Sequence, residues 1–231
     1  MNKQSLLPQL LTLLADYQAL LQQVDAWFDR CLVAVGPQQI RCRRGCSECC
    51  RGLFDISVLD AALLQQGVAQ LPLEVQGRVR QQSRSRLTEL QERWPTLNHP
   101  WLLNSLPDEG WTEMPEDDAT PCPLLGADGA CMVYAYRPMT CRLHGLPNID
   151  LSGESFSDDF CSHNFVGVDP LLLPELRWEF RRTFADENNF LHMFTTILCG
   201  RPLRELDTFI PTGLLIDFDN GHWEAATQGL R

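Results

Sequence analysis

CRRGCSECC, residues 42–50, places Cys42, Cys46, Cys49 and Cys50 in one short block. Core packing does not explain so many thiols at that spacing; metal chelation does. If the block is helical, steps of three and four bring its cysteines to one face. If it is extended, the adjacent Cys49 and Cys50 point to opposite sides, and one metal can hardly take both. The pair therefore requires either a helical turn that gathers all four or two separate sites. Gly45 permits a tight, non-helical bend inside the block.

Arg41, Arg43, Arg44 and Arg51 flank these cysteines. Cations beside a thiol favour its ionised, metal-binding form; the alternative for each is a solvated surface arginine. A second run supplies Cys122, Cys131, Cys141 and Cys161. In CPLLGADGACMVYAYRPMTCRLHG, residues 122–145, the turn from Gly126 to Gly129 brings Cys122 and Cys131 close, and MVYAY forms a strand or short helix before Pro138. One centre is thus expected from two separated segments. Arg137 and Arg142 bracket Cys141, where they could donate to metal-bound sulfur or balance the charge of a tetrathiolate. Their other reading is an ion pair with the acidic loop upstream. His144 and His163 read as ordinary polar side chains, because cysteine is plentiful, and Cys31 and Cys199 as plain buried thiols.

The chain has 231 residues, 44% hydrophobic, with a formal net charge of −11. That length can bury a substantial core. The charge argues against binding nucleic acid or an anionic membrane, since both need a basic face. The leucine-rich first thirty residues are interrupted by Gln4, Gln9, Asp16, Gln18 and Asp25, which leaves neither a signal-peptide core nor a membrane span. A cytoplasmic protein is expected, and in that compartment ten cysteines point to metal rather than disulfides. No residue identifies a protein or redox partner or an oligomeric state.

Apolar positions at Leu7, Leu10, Leu14, Tyr17, Leu21, Val24 and Phe28 predict an amphipathic helix over Leu6–Phe28, lying on its own domain rather than forming a dimer seam. LFDIS, residues 53–57, reads as a short strand, and Ser57 with Asp60 starts a helix running to Gly67. A second helix fills Leu73 to Arg93. Residues 94–121, rich in proline and carrying Glu113, Glu116, Asp117 and Asp118, form a loop whose Trp94, Trp101 and Trp111 anchor it to the core. Helix is expected from Leu171 to Leu198, and a closing hairpin in FIPTGLLIDFDNGHWEA, residues 209–225, around its DNG turn. The fold class is therefore mainly α, with helices around a loop-rich cysteine centre and a few short strands. Three segments are expected: 1–35, the N-terminal helix; 36–165, the cysteine-cluster domain; and 166–231, a helix and hairpin packed on the same core.

CRRGCSECC together with CPLL, Cys131 and RPMTCR resembles the YkgJ-type cysteine-cluster family, zinc- or iron-chelating CxxCxxCC proteins also described as containing iron–sulfur clusters. The resemblance covers roughly residues 42–161 and departs where Ser47 stands in place of the family's glycine. It implies metal binding by Cys42, Cys46, Cys49, Cys50, Cys122, Cys131, Cys141 and Cys161. An iron–sulfur cluster, [4Fe–4S] in type and with a redox role, is the leading reading; a structural zinc interaction module is the alternative. A bacterial flagellin lysine methylase carries a similar cysteine block, which adds an iron–sulfur-dependent modification enzyme as a further alternative. Cys42, Cys46 and Cys49 also match the spacing of radical S-adenosylmethionine enzymes, but the repeated strand–helix pattern of such a barrel is missing.

Overall fold

The computed structural model describes residues 6–107, 119–219 and 222–230. Trp111, the acidic residues Glu113, Glu116, Asp117 and Asp118, and Asn220 and Gly221 of the expected DNG turn lie outside them. The first helix, α1, spans Leu6–Val35, about two turns beyond the predicted end, because Cys31 continues the apolar face and is also buried. The backbone N–H of Gly36 closes it on the carbonyl of Leu32. Tyr17, Leu21 and Val24 are fully buried inside the chain's own core, so the face that could have been a dimer seam is already covered.

The chain continues through β1, Asp55–Ser57, into α2, Val58–Val68, where the Ser57 hydroxyl accepts from the Asp60 N–H at 3.1 Å. That is the N-cap the Ser57–Asp60 spacing predicts. The next helix, α3, runs Leu73–Arg93 as predicted, with Val79 and Leu90 buried. Trp94 stacks on Phe209 with ring centroids 5.5 Å apart, and the carbonyl of Trp101 accepts from the Thr208 hydroxyl at 3.0 Å. Both tryptophans anchor the start of the long loop.

A short helix, α4, Met139–Leu143, carries Cys141. Strands β2, Asn148–Ile149, and β3, Ser155–Ser157, pair antiparallel. The expected helix from Leu171 begins later. Pro170 and Pro174 start two 3-10 turns, and continuous helix, α5, occupies only Phe180–Cys199; a proline inside a helix removes a backbone donor and clashes with the preceding turn. The helix α5 packs along α1. Trp27 joins them, donating through Nε1 to the carbonyl of Leu176 at 3.0 Å and meeting Phe180 edge-on at 4.9 Å. Each such aromatic is worth roughly 1.5–3 kcal/mol of burial.

The closing hairpin does not form. The strand β4, Asp207–Phe209, pairs antiparallel with β1 from the other end of the chain, Ile56 opposite Thr208. Immediately afterwards the Thr212 hydroxyl accepts from the Phe209 N–H at 3.1 Å, and with Pro211 in the first turn the chain bends into α6, Ile210–Gly213. Successive residues 210–214 are all buried, so the apparent strand alternation there is not an inside–outside alternation. A last turn, α7, spans Trp223–Ala226. The architecture is mainly α, with short strand pairs and one hydrophobic cluster that draws on α1, α2, α4 and α5 together.

Two glycines test this packing with opposite signs. A Cβ at Gly67 in α2 would lie 2.6 Å from the Tyr136 ring, whereas at Gly77 in α3 nothing lies within 4 Å. Overpacking costs about 1–3 kcal/mol and outweighs the gain of about 1 kcal/mol in helix propensity. Gly67→Ala is expected to lose roughly 1–2 kcal/mol, and Gly77→Ala to gain roughly 0.5–1 kcal/mol, in urea denaturation. A stabilised Gly67→Ala variant would show that α2 and the Tyr136 turn are not in contact.

Candidate metal centre

The cysteine block is neither a helix nor a strand. The N–H of Cys46 turns back to the carbonyl of Arg43 at 3.0 Å, Gly45 takes a φ of +85°, and only Glu48–Cys50 form a 3-10 turn. Glycine is required on both sides of the contact with the second cysteine loop, at Gly45 and at Gly129. The φ of Gly45 is left-handed, and the tip of the second cysteine loop presses on it: a Cβ on Gly129 would sit 2.9 Å from the Gly45 carbonyl oxygen. That loop is the expected turn, closed by the Gly126 N–H on the carbonyl of Ala130 at 2.8 Å, with Cys122 and Cys131 on its two arms. Its first arm is tied to the block by the Cys122 N–H donating to the carbonyl of Cys50 at 2.8 Å.

Cys42 is held from the other side. Asn164 is buried; its Oδ1 accepts from the Arg41 N–H at 2.8 Å, and its Nδ2 donates to the Gly145 carbonyl at 2.7 Å and to Cys42 Sγ at 3.4 Å. The Cys161 N–H donates to the same carbonyl at 3.3 Å. Gly145, at φ +108°, leaves the room that Cys42 needs, since a Cβ there would come within 3.2 Å of its sulfur.

Seven cysteines thus face one chamber of about 410 Å³: Cys42, Cys46, Cys49, Cys50, Cys122, Cys131 and Cys141. Phe28, Leu32, Phe54 and Leu124 wall it. Cys161 instead faces a smaller cavity of about 230 Å³, shared with Cys42, Cys46 and His163. All ten cysteines are free thiols, and Cys31 and Cys199 are buried elsewhere in the core. Among the described residues no three Cys, His, Asp or Glu side chains are gathered tightly enough to enclose a single ion as they stand. His144 lines the chamber with its ring edge-on to Phe54 at 5.4 Å.

Arg137 and Arg142 also line the chamber. Their carboxylate partner is Asp25 on α1: Arg137 reaches it at 2.9 Å, and Arg142 contacts its other oxygen. Arg142 is fully buried and donates to the carbonyls of Arg137 at 2.8 Å and Ala135 at 2.9 Å. Arg41, Arg43, Arg44 and Arg51 are exposed.

Burial dominates the acid–base chemistry of the thiols. It pushes Cys122 up to about 12 and raises Cys141, Cys131 and Cys42. On Cys131 the charges of Arg137 and Arg142 pull the other way. Cys49 is raised first by its hydrogen bond with Cys50 and then by burial, while that hydrogen bond lowers Cys50. The charges bearing on Cys42 include those of Cys161, Cys46 and Cys49; those bearing on Cys50 are Cys122, Cys141 and Cys131. Such thiols ionise when a cation replaces the lost solvation, so binding releases protons. The donor set fits a thiophilic metal centre: many sulfurs, dry walls and nearby guanidinium groups.

The family comparison agrees with this geometry. Residues 41–162 match the model of the family described as "CxxCxxCC: Putative zinc- or iron-chelating domain", more than half of the chain. The chain belongs to this family. Comparison with curated proteins and with solved structures returns no match. No described helix is long and apolar enough to cross a membrane.

Two features escaped sequence reasoning. Asn164, which joins Cys42 to Cys161, sits in an irregular segment with no periodicity to mark it. A buried carboxylate network is the other. Tyr17 donates to Asp60 at 2.9 Å and to Glu187 at 3.2 Å, beside a cavity of about 510 Å³ that also holds Asp207 and His144. Burial raises the carboxyl groups of Asp60 and Glu187 and pushes Asp207 up to about 6.

Two predictions follow from these buried charges. Breaking a buried ion pair costs about 3–5 kcal/mol, less where the orphaned partner is solvated; the Asp25 side chain is 34% exposed. Arg142→Met is expected to lose roughly 2–3 kcal/mol in urea denaturation, and a loss under about 1 kcal/mol would reduce the pair to a surface contact. The second prediction concerns pH. A carboxyl raised on folding contributes stability that is full below its unfolded pKa, about 4, and is lost as pH rises through the folded value. Glu187→Gln should therefore gain stability relative to the parent as the pH rises from about 5 to about 8. An unchanged difference between the two pH values would mean that Glu187 is ionised throughout.

Proposed function

We propose that this chain is a metal-binding protein whose cysteine thiolates carry an iron–sulfur cluster of the [4Fe–4S] type, in a redox role. One observation carries the reading: seven cysteine side chains line a single apolar-walled chamber of about 410 Å³. A lone tetrahedral zinc needs four thiolates at about 2.3 Å and no such enclosure. The cluster, when bound, supplies one-electron chemistry. The chain's own residues do the rest. Phe28, Leu32, Phe54 and Leu124 exclude water, the Asn164 amide hydrogen-bonds Cys42, and Arg137 and Arg142 place positive charge against a thiolate-rich centre. Structural zinc is the second reading, because the family description covers both metals.

Anaerobically purified protein is expected to be brown, with broad absorbance near about 400 nm that bleaches reversibly on reduction. Colourless protein holding stoichiometric zinc would overturn the iron–sulfur reading. Arg137→Gln removes a cation beside the centre, which makes adding an electron harder. Its reduction potential should fall, and an unchanged potential would leave Arg137 only its ion pair with Asp25.

A further inference from the structure

The eight cysteines do not surround one point. Cys161 faces only the smaller cavity, while Cys49, Cys50, Cys122, Cys131 and Cys141 face only the larger chamber; Cys42 and Cys46 border both. Backbone ties follow the same division. Cys42 and Cys161 meet across the Gly145 carbonyl and the Asn164 amide, and Cys50 is bonded directly to Cys122, the first arm of the loop that ends in Cys131. Between these groups the chain makes only the 3-10 turn Glu48–Cys50 and leaves it in extended conformation at Arg51. Four cysteines on one helical face would have called for a single site, and that helix does not form.

We propose that the cysteines form two adjoining four-thiolate centres, one from Cys42, Cys46, Cys49 and Cys161 and the other from Cys50, Cys122, Cys131 and Cys141. This rests on the iron–sulfur reading for the identity of the occupants but not for the division itself. The peptide bond between Cys49 and Cys50 is the border. Cys49 faces the larger chamber and its sulfur hydrogen-bonds Cys50, but the second set is complete without it, and Cys49, three residues after Cys46, supplies the fourth thiolate that Cys42, Cys46 and Cys161 lack. Dense cysteine runs in two-cluster ferredoxins divide in the same manner, three residues to one cluster and the last to the other. Adjacent residues on two centres bring them close enough to exchange electrons, which a single structural ion has no use for.

The test is metal and sulfide analysis of the full chain reconstituted anaerobically with ferrous iron and sulfide, with electron paramagnetic resonance of the reduced protein. The parent is expected to hold about eight iron and eight sulfide per chain. Cys161→Ala and Cys131→Ala should each retain about half of the iron, with different residual spectra. Cys46→Ala, at the exposed cysteine of the first set, should reproduce the Cys161→Ala spectrum and serves if that variant does not fold. About four iron in the parent, lost entirely in Cys46→Ala and Cys131→Ala alike, overturns the division and leaves the iron–sulfur reading standing. Two zinc ions per chain, one lost in each variant, would uphold the division and overturn the iron–sulfur reading. A parent that takes up no metal overturns both.

Discussion

The Arg142 guanidinium is the constraint around which the rest is arranged. It is fully buried, and it meets Asp25 of α1 and the carbonyls of Ala135 and Arg137. The long N-terminal helix, the turn before α4 and the residue after Cys141 are therefore fixed to one another by a single charged group. A buried cation without such partners costs several kcal/mol, so this corner of the fold is determined as a unit. Asp60 plays the corresponding part nearby, accepting from Tyr17 of α1, from the Met139 N–H at the start of α4 and from Ser57 at the head of α2.

Around that frame the thiols are drawn from distant segments into surroundings that oppose their ionisation. Burial raises most of them, and Arg137 and Arg142 offset this in part at Cys131. A cation in the chamber therefore stabilises both the thiolates and the loops that carry them, which makes metal affinity part of the folding free energy. This accounts for how little regular structure the described residues between α3 and α5 contain: short helices, strands of two and three residues and isolated turns suffice where ligation ties the chain together.

Much of the helical fold was legible because periodicity and caps are local. Leu73–Arg93 was readable from its apolar spacing, and the start of α2 from Ser57 and Asp60. The errors have local explanations too. Pro170 and Pro174 delay α5, and the alternating pattern after Phe209 belongs to a buried helical turn, not to a strand of a hairpin. The pairing of β4 with β1 joins residues about 150 apart, and nothing in either short segment specifies that partner. Trp94 and Trp101 do anchor their loop, as aromatic residues in a proline-rich stretch suggest.

The sequence by itself determined that the chain is a helical, thiol-rich metal binder, because cysteine spacing and helix periodicity are written in neighbouring residues. It also posed the question of Cys49 and Cys50, whose adjacency excludes a single extended site. Only the tertiary structure decided where each thiol faces. Asn164 brings Cys161 to Cys42, the hydrogen bond from Cys122 to Cys50 commits the second loop, and Asp25 pairs with both arginines. Those contacts join residues that are far apart in the chain, and long-range packing has no period for a sequence to display.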